Sequence, residues 1–482
     1  DGKMTIYGYK PSVAIDWAAL VILQVELRVW REEIAQGFER LASGRMATVA
    51  NFVKRHQNRF YGVVLIAAAS VVLIIGEAVS FVRHQFVDSE WSQRVGIFLL
   101  RKRIELQQRD REGEEDGDFD PMDLSRLPDD YRANFASGPL YDETYLVERG
   151  YADDIWEAID EWRHRRKQGS LALAGEAGLG KSTLLNQVYR RLEAQHVPVS
   201  YVQLTDKLVE HETMWRFVAD FFDLESIPSD REEMVEAVRN QPARVVIIDD
   251  CHHMYFRQIG GFRALARFLD LVNLTDDRHY WILAFNKFSW RYLDRVQEQK
   301  HFFGKTLELP PWNDEEIQAL INRRNESLPY SVSFQELVVA RDEELRDYYE
   351  VVQTANGYFR LLEEFCDGNP SVAMEYWLRN LSVGEDNVLK VSLFRKPTTE
   401  PIESLTDNHL FALTALAQHG SLFPGEVADI INAEAGFCEM AMTHFEQVGI
   451  VEKTSPTGRY TLTSLYFRPV VNHLSNSNFL WM

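Results

Sequence analysis

The sequence predicts an α/β core built on a parallel sheet, followed by a helical lid and a C-terminal domain of three helices and a hairpin, with an N-terminal transmembrane helix ahead of it. Three stretches predict it. "SLALAGEAGLGKSTLLNQVYRRL" (170–192) passes from a short apolar strand through a glycine-rich turn into a helical pattern. "ARVVIIDD" (243–250) runs through four β-branched residues into two acids, the pattern of a strand buried on both faces of a parallel sheet. "FYGVVLIAAASVVLIIGEAVSFV" (60–82) carries a single charge, Glu77, over a length that matches a bilayer core of about 30 Å.

At 482 residues the chain is too long for one hydrophobic core, so two or three domains are expected. Net charge is −21, unevenly spread. Residues 1–103 hold 14 Lys/Arg against 9 Asp/Glu, and the remainder holds the acidic excess. A basic head on an acidic body suits a segment beside anionic headgroups with folded domains behind it. Cys251, Cys366 and Cys438 are far apart and form no metal or disulfide spacing, which points to a reducing compartment. Asp1 rather than Met opens the chain, as in a fragment or processed product.

Residues 1–58 read as an amphipathic helical segment. In "SVAIDWAALVILQVELRVW", Asp16, Gln24, Glu26 and Arg28 make a poor lipid-facing span, whereas Ile34, Phe38, Leu41, Val49, Phe52 and Val53 keep an approximate helical spacing. Residues 59–84 are the expected transmembrane helix, flanked by Lys54, Arg55 and Arg59 before it and Arg83, Arg101, Lys102 and Arg103 after it. Its position excludes a secretory signal peptide. The folded body behind it is expected to face the cytoplasm from an inner (cytoplasmic) membrane. Residues 85–142, with eleven acids between Glu105 and Asp130, read as a solvated linker.

Residues 143–311 are the expected catalytic core. Gly175, Glu176, Ala177, Gly178, Leu179, Gly180, Lys181, Ser182 and Thr183 form a phosphate-binding loop of pattern G-x-x-x-x-G-K-[ST]. Its glycines let backbone amides curl around phosphate oxygens, Lys181 reaches the β- and γ-phosphates, and Ser182 completes a Mg²⁺ shell at the positive end of the following helix. Asp249 is the expected second Mg²⁺ ligand, through water, and Asp250 the group that orients or deprotonates the attacking water. Asn286, ending the strand "HYWILAFN", is placed to position that water or touch the γ-phosphate. His252 and His253 lack partners for a metal cluster and read as local hydrogen-bonding groups.

These motifs, in this order, resemble the P-loop ATPases of the AAA+ and STAND (signal-transduction ATPase) type. The resemblance covers roughly residues 143–482 and includes Gly368-Asn369-Pro370, similar to the helical-lid motif of these families. It implies a five-stranded parallel sheet with the phosphate-loop strand central, and ATP-dependent rearrangement of an oligomer or of domains. Two departures stand out. The second acid is Asp250 where many AAA+ enzymes have Glu, which implies slow, gated hydrolysis rather than a fast motor. The lid position that usually offers Arg is Ser371. Arg291, Arg295, Lys300 and His301 are the bases near an arginine-finger position, with none preferred by spacing.

Residues 312–390 are expected to form the lid, all-helical over 312–381, with Asn313 or Asp314 capping its first helix. Residues 400–482 are similar to a winged helix. Its candidate recognition helix, Phe437 to Val448, holds Glu439 and Glu446 and no Lys or Arg, so phosphate backbone contacts and nucleic acid are disfavoured. The reading is therefore a membrane-anchored ATPase switch with ATP and Mg²⁺ as ligands. It would form a homo-oligomer and have a protein partner in the membrane such as a channel. A nucleotide-binding scaffold with little hydrolysis, or a membrane-tethered DNA-handling ATPase, are the alternatives.

Overall fold

The computed structural model describes residues 124–480 apart from 137, 139–144, 166–168, 298–301, 338–347, 385, 393, 395–396 and 455–456. The amphipathic segment, the expected transmembrane helix over 60–82 and most of the acidic linker lie outside the described residues. Among the described residues no helix is long and apolar enough to cross a membrane.

The last part of the expected linker is not solvated chain. Residues 124–136 form a helical turn and helix α1 (Asp129–Asn134), which seats Leu127, Tyr131 and Phe135 in the core of the lid. Eleven acids outweigh this in composition, but only Asp123, Asp129 and Asp130 fall near it, and the three apolar residues at helical spacing bury regardless.

Helix α2 (Tyr151–Arg165) leads into strand β1 (Ser170–Gly175), the phosphate loop and helix α3 (Lys181–Ala194). There follow β2 (Val199–Gln203), α4 (His211–Phe221), α5 (Arg231–Arg239), β3 (Val245–Asp249), α6 (Arg263–Thr275), β4 (Tyr280–Asn286), α7 (Lys287–Gln297) and β5 (Lys305–Glu308). The five strands are parallel in the order β2-β3-β4-β1-β5. The phosphate-loop strand is thus interior but not central, a correction to the sequence reading. β4, the strand that ends in Asn286, takes the middle and pairs Asn286 with Gly175. Alternation explains the continuous apolar runs. Leu171, Leu173, Val245 and Ile247 pack under α2 and α3, while Ala172, Ala174, Val246 and Ile248 pack under α4–α7.

The lid comprises α8 (Asp314–Glu326), α9 (Tyr348–Cys366) and α10 (Pro370–Arg379). Asn313 is the cap of α8 and closes a capping box with Glu316. The lid is not all-helical: β6 (Ser331–Ser333), β7 (Leu381–Val383) and β8 (Val388–Val391) make a three-stranded sheet in the order β6-β8-β7. Ser331–Ser333 is too short to carry a strand signal, and it extends because β8 offers it a parallel edge. A short helix α11 (Glu400–Glu403) leads to α12 (Asp407–His419), β9 (Ser421–Leu422), α13 (Pro424–Ile431), α14 (Ala435–Gln447), the hairpin β10 (Val451–Lys453) and β11 (Tyr460–Leu462), and α15 (Ser464–Asn476). Lid and C-terminal domain share one apolar core running from Leu127 to Leu480.

Tyr131 is fully buried, donates its hydroxyl to Asn325 Oδ1 at 2.6 Å and accepts from Trp377 Nε1 at 3.0 Å. Tyr131→Phe strands the indole N–H in the core. It should lower stability by about 1–3 kcal/mol, read as a drop in urea midpoint with unchanged slope; a loss under about 0.5 kcal/mol would mean this pair of bonds contributes nothing net.

Candidate functional site

Five successive carbonyls of the phosphate loop are each claimed by a side chain. Lys181 Nζ donates to Gly175 O and Glu176 O, both at 2.9 Å. Asn369 Nδ2 donates to Ala177 O at 2.8 Å, Ser371 Oγ to Gly178 O at 3.2 Å, and Trp312 Nε1 to Leu179 O at 3.2 Å. With two of these acceptors held by Lys181 and three turned to the lid, the loop exposes its backbone toward a cleft of about 810 Å³ lined by Gly178 to Thr183. Gly178 has φ 82° and a Cβ there would come within 2.8 Å of Asn369 and Ser371, so only glycine permits this approach. Gly180, at φ 92°, sits just before α3 and aims the N-terminus of that helix at the same cleft.

Ser182 Oγ donates to Asp249 Oδ2 at 2.5 Å, which brings the two expected Mg²⁺ ligands together. Burial, and then the neighbouring Asp250, push the Asp249 carboxyl up to about 6, against the pull of Ser182, Lys181 and the Asp250 N–H. Burial lowers Lys181, with Asp250, Asp249 and Glu176 opposing. Asp250 itself has left-handed backbone, φ 58° and ψ 38°, a conformation that Asp adopts more readily than most residues with a Cβ. Its N–H donates to Asp249 Oδ1 at 2.8 Å and its Oδ2 accepts from Gln203 Nε2 at 2.9 Å.

These groups fit a triphosphate and Mg²⁺. The cleft has nucleotide size, the loop offers backbone and a buried ammonium, and the hydroxyl–carboxylate pair is a hard oxygen donor set. Among the described residues no three His, Cys, Asp or Glu gather as a metal cage. His252 and His253, 6% exposed each, are lowered well below their usual range, chiefly by burial. Nδ1 of each has no hydrogen-bond partner among the described residues, and both line the cleft beside Asp250.

Asn286 also lines the cleft, but its amide is engaged elsewhere. Nδ2 donates to Ala417 O at 3.0 Å and Oδ1 accepts from Phe288 N at 3.0 Å. This belongs to a wider contact. Ser289 Oγ donates to Gln418 O, and Lys207 Nζ to His419 O at 2.8 Å. The last carbonyls of α12, which have no donor in their own helix, are thus capped by three donors of the sheet domain. Arg291, one of the arginine-finger options, pairs with Glu308 at 3.1 Å, and Lys300 and His301 lie outside the described residues.

Sequence reasoning missed Arg149, Trp312, Gln203 and Arg468. Arg149 binds Glu316 at 2.9 Å and the carbonyls of Pro310 and Pro311 at 3.1 Å, and its guanidinium carbon lies 4.9 Å from the Trp312 ring centre. Pro310-Pro311-Trp312, a rigid turn ending in an aromatic just after β5, was the available signal for Trp312; nothing local marks the other three.

Comparison with known proteins bears on the class. Residues 164–285 match the family model described as an AAA domain (AAA_22). Among solved structures, the Aeropyrum pernix ORC2 protein in ADPNP and ADP complexes is similar at 14% identity and TM-score 0.41, covering 72% of this chain and 98% of that one. Pyrobaculum aerophilum Cdc6p is similar at 13% identity and TM-score 0.34, with 71% and 100% covered. The Thermotoga maritima RuvB Holliday junction branch migration motor is similar at 15% identity and TM-score 0.27, with 71% and 98% covered. No curated protein matches the chain.

Lys207 offers a pH-dependent test of the contact between domains. Burial lowers its ammonium to about 7, with Glu426 and Asp250 raising it and Arg459 lowering it. A lysine lowered on folding binds fewer protons in the folded than in the unfolded state between about 7 and its ordinary value of about 10.4. Stability therefore rises with pH across that window, by up to about 1.4 kcal/mol per unit, and the cost of the buried charge is fully present only below it. Urea titrations from pH 7.5 to 9.5 should show the wild type gaining stability relative to Lys207→Met. Parallel curves would place this amine in water.

Proposed function

We propose that the chain is a membrane-anchored, ATP-binding and ATP-hydrolysing switch of STAND character, whose nucleotide state controls how subunits or partners assemble. The observation that carries the nucleotide half is the loop 175–182, three of its carbonyls tied to the lid, opening beside the Ser182–Asp249 pair onto a cleft of nucleotide size. The anchor half rests on the uncharged run before Glu77 in residues 60–82. It implies an inner-membrane location with the ATPase body in the cytoplasm, and a protein partner within the bilayer.

In this reading Lys181 exchanges its two loop carbonyls for phosphate oxygens, and backbone amides of the loop and of the first turn of α3 take the rest of the negative charge. Mg²⁺, held by Ser182 and, through water, Asp249, would neutralise charge developing on the phosphates. Asp250, steadied by Gln203, orients a water and accepts its proton as the bond to the γ-phosphate breaks, giving ADP and inorganic phosphate. Asn286 reports this end of the site to α12 through Ala417 O. The winged-helix-like domain acts as a protein-contact module, and its acidic helix α14 disfavours DNA. Homo-oligomerisation would supply any arginine from a neighbouring subunit.

A second reading is a nucleotide-binding scaffold with little turnover. It is favoured by the same hydrogen bonds: the Asp250 carboxylate is held by Gln203 and the Asn286 amide by Ala417. Phosphate release by the purified oligomer separates the two.

Lys181→Ala should abolish binding of Mg·ATP in calorimetry, a loss of at least about 100-fold. Asp250→Asn should leave binding within a few fold and reduce phosphate release by about 100-fold or more, the scale on which general-base groups act. Wild-type turnover in both variants would refute the assignment of these two residues.

A further inference from the structure

Glu176, the second residue of the phosphate loop, is 3% exposed and its side chain points away from the nucleotide cleft. Its Oε1 accepts from Lys287 Nζ at 3.0 Å, the residue that follows Asn286. Its Oε2 accepts from Arg468 Nη2 at 2.5 Å, on helix α15 of the C-terminal domain, 292 positions along the chain. The rest of that guanidinium is spent on the lid: Nε donates to Cys366 O at 2.9 Å, Nη2 also to Asp367 O at 3.4 Å, and Nη1 lies 3.6 Å from Asp367 Oδ2. These are the residues immediately before Gly368-Asn369-Pro370, whose asparagine holds Ala177 O. One planar fork, 5% exposed, therefore joins the loop, the lid and the C-terminal helix at a single point.

Surface attraction does not account for this arrangement. A buried carboxylate needs its cations and hydrogen bonds in place, and losing one leaves the charge uncompensated. The carbonyl of the same residue, Glu176 O, is one of the two acceptors that hold the Lys181 ammonium until phosphate takes it, so the residue that Arg468 holds by its side chain also fixes where that lysine waits beside the cleft.

We propose that Arg468 is a positioning residue for the phosphate loop: by holding Glu176 it keeps the loop in its binding shape only while α15 is docked, so that nucleotide affinity and docking of the C-terminal domain are linked. The proposal rests on the loop being the nucleotide site. Linkage is reciprocal, so nucleotide in turn tightens the docking of α15.

The test uses the full chain in detergent, with Arg468→Lys, Arg468→Gln, Glu176→Gln and the double variant Arg468→Gln/Glu176→Gln. Mg·ATP affinity is measured by calorimetry, and hydrogen exchange over residues 464–476 is followed with and without nucleotide. Thermal midpoints without nucleotide serve as the control for folding. Arg468→Gln should weaken Mg·ATP by about tenfold, within the usual range of coupling between sites, and abolish the nucleotide-dependent protection of α15. Arg468→Lys should recover part of both. The double variant should bind no worse than Glu176→Gln alone. If Arg468→Gln does not fold, Arg468→Lys and Glu176→Gln carry the same comparison against the wild type. Variants that lose stability while their folded fraction binds Mg·ATP with wild-type affinity and protects α15 normally would overturn the proposal, leaving Arg468 a purely structural contact. Absence of binding by the wild type would overturn the nucleotide reading and this proposal together, whereas wild-type binding that every variant retains overturns this proposal alone.

Discussion

The shape of the phosphate loop depends on where its carbonyls go. Within this tight turn Leu179 N donates to Glu176 O at 3.3 Å, which leaves most of the five acceptors to side chains, and buried acceptors left without donors are costly. Lys181, Asn369, Ser371 and Trp312 take them all. Three of those four donors belong to the region after β5, so the lid is part of the loop's internal hydrogen bonding as well as a cover over the cleft. The short side chain at position 371 fits this picture. A hydroxyl close to Gly178 is short enough to serve the backbone, whereas an arginine would reach beyond it.

The same logic governs the C-terminal domain. Helix α12 ends with carbonyls that face the sheet domain, and Asn286, Ser289 and Lys207 meet them in succession. Asn286 and Ser289 lie on either side of the start of α7, and Lys207 follows β2, so two segments at the C-terminal edge of the sheet converge on one helix end. The ammonium of Lys207 also faces the negative end of that helix, an interaction that favours a cation there. At this helix end the contact between the domains is thus made by directional bonds to main chain, next to the carboxylates that would handle the nucleotide.

Much of the core was legible because its signals are local. The strand-loop-helix at 170–192, the double acid after 245–248 and the cap at Asn313 each specify a conformation through neighbours a few residues away, and the fold brings Ser182 within hydrogen-bond distance of Asp249. Strand order was not legible, since nothing in "SLALAG" says whether it has one neighbour or two on its left, and β1 proved to lie beside the edge strand β5. The acidic composition of 105–130 concealed the helix at Asp129–Asn134 because composition averages over residues while burial acts on Leu127, Tyr131 and Phe135. Arg468 carried no signal at all: an arginine before a proline in an amphipathic helix reads as surface, and only the fold brings Glu176 to it.

The pairing of Glu176 with Arg468 also bears on how the protein is made. A chain emerging N-terminus first presents its nucleotide loop early, yet the carboxylate in that loop lacks one of its two cations until residue 468 has been synthesised and its helix has found its seat. Contacts of such sequence separation form late and slow the final stage of folding. An unfinished or clipped polypeptide would carry every recognisable motif and still hold an incomplete site.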